Sequence, residues 1–169
     1  VEIDELRYPM RVKEIRVLCD SGGPGKFRGA PGADVTFGPV DDPLTVLYTT
    51  DHHEHPPRGV RGGHPGRRTG VDVIDAEGNT HAGPLVGSLT LKPGEWVVSR
   101  QTGGGGWGDP TERDPERVLR DVLAGWVSRE AAEKIYHVPI VEDDSPDGLA
   151  IDWDALRRLR GEEPAEVAA

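Results

Sequence analysis

Many of the glycines and prolines fall into three blocks, Gly22–Gly32, Pro56–Gly70 and Gly103–Pro110, and these blocks limit the architecture more than any other feature. Glycine gives up backbone entropy inside a regular element, and proline removes a donor and clashes with the preceding turn. With 23 glycines and 15 prolines in 169 residues, a helical bundle is excluded. The stretches between the blocks are short and rich in β-branched residues, and the 18 valines of the whole chain favour strands. Leu, Ile, Val and Phe together supply only about 22% of the chain. That is barely above the roughly 20% below which a strongly charged chain stays unfolded. A thin core follows, and a partner chain is an attractive source of the missing burial.

The net charge of −10 disfavours a phosphate backbone as a partner, so nucleic acid is not expected. Cys19 is the only cysteine, which excludes an internal disulfide framework and suits a reducing compartment. There is no apolar run of about 18 residues and no apolar stretch behind a basic start. A cytoplasmic protein with no membrane contact is expected.

Glu14–Asp20 reads as a half-buried strand with Ile15, Val17 and Cys19 on one face, the thiol buried and inert. It runs into Asp20-Ser21-Gly22-Gly23-Pro24-Gly25, where glycine permits tight turns and positive φ. Ala33–Phe37 and Leu44–Thr50 read as two strands of a hairpin or meander across Gly38–Pro43. Asp51–Gly70 has too much Gly and Pro for any regular element. Val71–Asp75 is a short strand, with a turn at Glu77-Gly78-Asn79 returning the chain toward Leu85 and Val86. Leu89–Lys92, the turn Pro93-Gly94 and Trp96–Arg100 give strand, turn and strand.

After Pro110 the composition changes. Asp114 caps a helix with Pro115 at its first position and Gly125 just past its end, carrying Val118, Leu119, Val122 and Leu123 as a stripe. Ser128 caps a second helix to about Tyr136, and a third runs from about Trp153 to Arg160, started by Asp152 or Asp154 and ended by Gly161. The expected fold is therefore α+β and mainly β: an antiparallel β-rich domain at 1–110 with glycine-rich loops, a helical extension of two or three short helices at 111–161, and a flexible tail at 162–169.

Each candidate site has a structural reading beside its functional one. Gly22–Lys26 suggests a phosphate loop, but Phe27 stands where Ser or Thr would reach a metal, and Arg28-Gly29-Ala30-Pro31-Gly32 forbids the helix that must follow. A structural turn, with Lys26 and Arg28 facing solvent or an acidic partner, fits better. Asp51-His52-His53-Glu54-His55 is the one dense set of ligand types; in extended backbone Asp51, His53 and His55 share a face, with His64 able to complete a shell. A solvated or interface loop is the stronger reading, and no metal is assigned. The run Gly103–Gly106 beside Trp107 can receive an anion or let main chain approach a substrate, and a packed loop is favoured over a free linker. Ser21 has no recognisable His and acid partners, so the chain presents no complete active site.

The string Asp20-Ser21-Gly22-Gly23-Pro24-Gly25-Lys26-Phe27-Arg28-Gly29 resembles the DSGGPGxxRGG signature of B-type subunits in the hydantoinase B/oxoprolinase family. That family includes N-methylhydantoinase, 5-oxoprolinase and the acetone and acetophenone carboxylases. The resemblance continues in order through Pro56-Pro57-Arg58-Gly59, Gly62-Gly63, Gly103–Pro110, Arg113–Val122 and Val127–Ala132. It covers the C-terminal portion of those longer subunits. The family's metal ligands are expected before that portion, so none is carried to this chain.

The resemblance implies a small or split B-type subunit of a multi-subunit, ATP-dependent hydantoinase, oxoprolinase or ketone carboxylase. An A-type partner would hold ATP and Mg and phosphorylate a carbonyl or amide oxygen. The rest of the B-type portion, with any divalent metal, would complete the hydrolysis or carboxylation site. Residues expected near substrate or phosphate are Asp20, Gly22, Gly23, Gly25, Lys26, Arg28, Gly103, Gly104, Gly105 and Gly106. The alternatives from other classes are a non-catalytic assembly subunit and a small metal-binding β domain using His53 and His55.

Overall fold

A computed structural model describes residues 1–144 and 146–161; the tail expected at 162–169 lies outside the described residues. In chain order the elements are α1 (Glu2–Arg7), β1 (Met10–Val17), β2 (Ala33–Pro39), β3 (Leu44–Thr49), β4 (Gly70–Ile74), β5 (Thr80–Ala82), β6 (Val86–Leu91), β7 (Trp96–Arg100), a 3-10 turn (Pro110–Glu112), α2 (Pro115–Leu123), α3 (Arg129–Lys134), β8 (Ile140–Glu142), β9 (Leu149–Ile151) and α4 (Trp153–Arg160). The mainly antiparallel β architecture with short helices behind it is as expected.

The pairing differs from the local reading. The main sheet runs β1-β2-β7-β4-β5, while β3 leaves it to pair with β6 in a separate ribbon. No hairpin therefore joins β2 to β3, and β6 does not pair with β7. The register explains why: Phe37, Val97 and Val73 stand opposite one another across β2, β7 and β4, and Val71 shares their face. Tyr48 and Leu91 of the ribbon cover that face, forming one buried cluster with Val71, Val73 and Val97. Local turns allow a meander, but a meander would leave this apolar face in water.

β1 is one edge strand of this sheet, and it ends at Val17, earlier than the sequence suggests. Ile15 and Val17 are 55% and 51% exposed, because the ribbon's cluster takes no member from β1. Cys19 lies past the strand and is exposed, so the buried-thiol expectation fails.

The helical part fits its caps. Asp114 accepts from the Glu116 N–H (2.9 Å), Ser128 from Ala131 (3.0 Å) and Asp152 from Ala155 (2.9 Å). Gly125 and Gly161 adopt φ of 71° and 68° just beyond α2 and α4. A second core gathers Val118, Val127, Ala132, Tyr136, Val138 and Leu156 with Ile140 and Ile151 of the β8–β9 hairpin. That hairpin and α1 are additions to the sequence reading: three-residue strands carry too little alternation to read, and α1 buries nothing.

Between the two cores the three glycine blocks interlock. A Cβ on Gly103 would stand 1.7 Å from the Ser21 carbonyl oxygen, one on Gly29 2.0 Å from that of Gly104, and one on Gly106 2.0 Å from that of Pro24. Gly105 meets the Arg58 oxygen at 2.1 Å, and Gly63 meets that of Gly106 at 2.2 Å. Carbonyls thus occupy the places where side chains would begin. The amides are used between the same strands of chain: Gly23 donates to Gly104 (2.8 Å), Gly104 to Ala30 (2.9 Å), Gly106 to His64 (2.9 Å) and His64 to Pro24 (2.7 Å). The expectation of positive φ at Gly22–Gly25 is corrected. None of these glycines adopts it, and the turn falls to Asp20 at φ 56°. Close approach, not turn geometry, sets the residue type here.

Gly103→Ala and Gly105→Ala should each lower stability by about 3 kcal/mol or more, since a backbone carbonyl must move. Gly104→Ala should cost about 1 kcal/mol or less, because its Cβ meets its nearest neighbour, the Ala30 nitrogen, at 3.1 Å. Urea unfolding of the three variants measures the difference.

Candidate functional site

The first glycine loop carries most of the candidate side chains, and the structure turns them toward the helices. The Asp20 N–H donates to the Trp126 carbonyl (3.0 Å), and its Oδ1 accepts from the Ser128 N–H (2.9 Å), fastening the loop to the start of α3. Lys26 Nζ reaches Glu112 at 2.9 Å on the surface, a contact worth well under about 1 kcal/mol.

Arg28 is only 9% exposed and grips Asp121 through Nε to Oδ2 (3.0 Å) and Nη2 to Oδ1 (3.3 Å). Arg113 Nη2 donates to the same Oδ2 at 2.8 Å, and its Nη1 to the Lys26 carbonyl at 3.1 Å. The acidic partners left open in the sequence are thus Glu112 and Asp121 of this same chain. Arg160 adds bonds to the carbonyls of Arg113 (2.8 Å) and Tyr136 (3.2 Å), drawing α4 into the junction.

A cavity of about 280 Å³ opens where this seam meets the second loop, bounded by Asp20, Gly22, Pro24, His64, Val127 and Tyr136 among others. It brings one carboxylate and one imidazole to an otherwise apolar wall. Tyr136 is 1% exposed and its hydroxyl has no hydrogen-bond partner among the described residues. Burial pushes its phenol up to about 12.

The nucleophile inventory stays inert. Ser21 Oγ donates to the Leu18 carbonyl (2.6 Å) and accepts from the Gly32 N–H (2.8 Å), a buried clamp on the loop. Desolvation, then the neighbouring Asp20, push the Cys19 thiol up, away from thiolate character. His52 Nδ1 donates to the His55 carbonyl (3.1 Å) and His53 Nδ1 to that of Thr50 (3.1 Å). Among the described residues no three His, Cys, Asp or Glu side chains come together to hold a metal ion. Asp109, at the end of the last glycine block, caps the 3-10 turn; its bonds from Thr111 hold its carboxyl below the usual range.

The structure therefore brings Asp20 and Gly22 to one cavity, sends Arg28 to a different cluster, and leaves Lys26 at the surface. Sequence reasoning gave no role to Arg113, Asp121 or Tyr136. One signal was available: Asp121 stands three residues after Val118, on the stripe that a helix starting at Asp114 must bury.

An antiparallel sheet crossed by interlocked glycine loops is thus clamped to a small helical core. A profile of the hydantoinase B/oxoprolinase family matches residues 1–110, and the chain belongs to that family. It is 33% identical over 147 residues to the beta subunit of the caprolactamase of Pseudomonas jessenii, covering 83% of this chain and 25% of that one. It is 32% identical over 168 residues to the B subunit of a putative D-/L-hydantoinase of a Pseudomonas species, covering 95% and 26%. The solved structure of the ATP-dependent caprolactamase from P. jessenii superposes with a TM-score of 0.77 at 25% identity, covering 95% of this chain and 28% of that one. Nucleotide-free acetone carboxylase gives 0.76 at 21% identity, covering 95% and 25%, which shows a shared fold. The chain spans about a quarter of the length of these relatives.

Asp121→Asn should cost about 3–5 kcal/mol in urea unfolding, since it strands two buried guanidiniums. Tyr136 supplies a pH test. Its phenol ionises later in the folded state than in the unfolded one, so its contribution to stability is whole below about pH 10 and is lost as pH climbs toward about 12. Phenolate absorbance should show a step near 12 that Tyr136→Phe removes.

Proposed function

We propose that this chain is the C-terminal B-type portion of a multi-subunit, ATP-dependent enzyme acting on a cyclic amide or a ketone. An A-type subunit holding ATP and Mg would phosphorylate the carbonyl or amide oxygen. The B-type portion would shelter the activated species during hydrolysis or carboxylation. The relatives named as subunits of a caprolactamase and a hydantoinase support this reading, and one structural observation carries it. The apolar face of the main sheet continues past its cover onto β1, leaving Ile15 and Val17 in water, with Ile3, Leu6 and Tyr8 of the preceding segment exposed beside them in sequence. A partner surface of the same enzyme is the natural cover for such a row.

The non-catalytic assembly reading has its own support. The candidate amides at Gly23, Gly104 and Gly106 are spent on neighbouring carbonyls, which suits a buttress. Gly104→Ala separates the two readings, since its Cβ has the most room of the four consecutive glycines. Loss of ATP-dependent turnover with assembly intact assigns the loop to the site; unchanged turnover assigns it to scaffolding.

Ile15→Glu with Val17→Glu should leave the circular dichroism of the chain unchanged. It should weaken co-purification with the A-type and remaining B-type portions by at least about tenfold. A chain that stays monomeric beside those portions, or assembly indifferent to both charges, overturns the proposal.

A further inference from the structure

We propose that a cleft beside α2 is a binding site for an oxyanion, a phosphate or carboxylate group. The cleft has a volume of about 440 Å³ and is lined by Arg28, Arg113, Arg117, Arg120, Asp121 and Trp126, together with Ala124. Arg28 comes from the first glycine loop, Arg113 from the turn before α2, and Arg117 and Arg120 from successive turns of α2. Four guanidiniums thus meet around one carboxylate in a chain whose net charge is −10.

Both Asp121 oxygens are bonded by Arg28, and Oδ2 by Arg113 as well, while Arg117 and Arg120 make no ion pair with it or with any other described residue. Arg113 Nε is buried and without a hydrogen-bond partner among the described residues. A buried donor left unmade is costly, and like charges three or four residues apart on a helix repel. Arg117 and Arg120 have that spacing within α2. One anion would relieve the repulsion and balance the cleft.

The residue type selects the ligand class. A guanidinium presents its donors as a planar fork that matches carboxylate and phosphate oxygens, and it keeps its charge at any working pH. The indole of Trp126 closes one side, with the Arg28 guanidinium 5.1 Å from its ring centroid. Trp126 is 40% exposed, so an anion entering the cleft alters the surroundings of a fluorophore already in place. The inference stands on this cleft alone and does not depend on the A-type partnership.

The test titrates the full chain at low ionic strength with inorganic phosphate, and separately with succinate, reading heat and tryptophan fluorescence, with potassium chloride as the control. Saturable binding that chloride at equal ionic strength does not reproduce is expected, with Kd of about 1 mM or tighter. Arg117→Gln with Arg120→Gln, both at exposed positions, should weaken it at least about tenfold while the far-ultraviolet dichroism stays unchanged. Tighter binding of phosphate marks a tetrahedral anion as the ligand, and tighter binding of succinate marks a carboxylate; either supports the site. No saturable binding of either, or binding indifferent to the double substitution, overturns it.

Discussion

Backbone packed directly against backbone is the constraint on which the rest of this structure depends. Three loops from distant parts of the sequence lie so close that carbonyl oxygens of one fill the Cβ positions of another, as Ser21 does at Gly103 and Pro24 at Gly106. No side chain mediates these contacts. The loops are held by amides such as those of Gly23, Gly104 and Gly106, which satisfy buried carbonyls that a sheet or helix would otherwise have to satisfy. The arrangement replaces a hydrophobic core with a hydrogen-bonded one, which is how a chain with so few large apolar residues folds around its middle.

The two apolar clusters on either side then become intelligible. One is the face of the main sheet under the β3–β6 ribbon, and the other is the helical core around Val118 and Tyr136. They are joined through the glycine loops by Asp20 at the start of α3 and by Arg28 and Arg113 on Asp121. A buried carboxylate between two guanidiniums adds little net stability over an apolar substitute, but it is very sensitive to losing a member. It also fixes orientation, since the bidentate Arg28 contact allows α2 one seating against the loop.

Much of the local structure was legible. Asp114 with Pro115, Ser128, and Asp152 with Gly161 announce helix ends through chemistry confined to a single turn, and the structure uses each as a cap or stop. The longer strand segments were legible for the same reason, since β propensity and alternation are local, whereas the three-residue strands β5, β8 and β9 were not. Nor was the pairing of the strands. β3 and β6 are about forty residues apart, and their union follows from the need to cover Val71, Val73 and Val97, which no turn between neighbours expresses. At the candidate site, Asp20 and Gly22 could be singled out by their motif, whereas Tyr136 joins them only because α3 folds back over the loop.

The sequence by itself determined where regular structure could not exist, where the helices start and stop, and, through ordered motifs, the family to which the chain belongs. Tertiary structure alone decided what the glycines are for. Their missing side chains admit a neighbouring carbonyl rather than a turn or an open anion cradle, and that distinction depends on which backbone arrives from elsewhere. It also decided the fate of the charges, turning Arg28 inward to Asp121 and gathering Arg117 and Arg120 beside it. Propensity and capping act within a turn of chain, while close packing and charge pairing act across whatever the fold brings together.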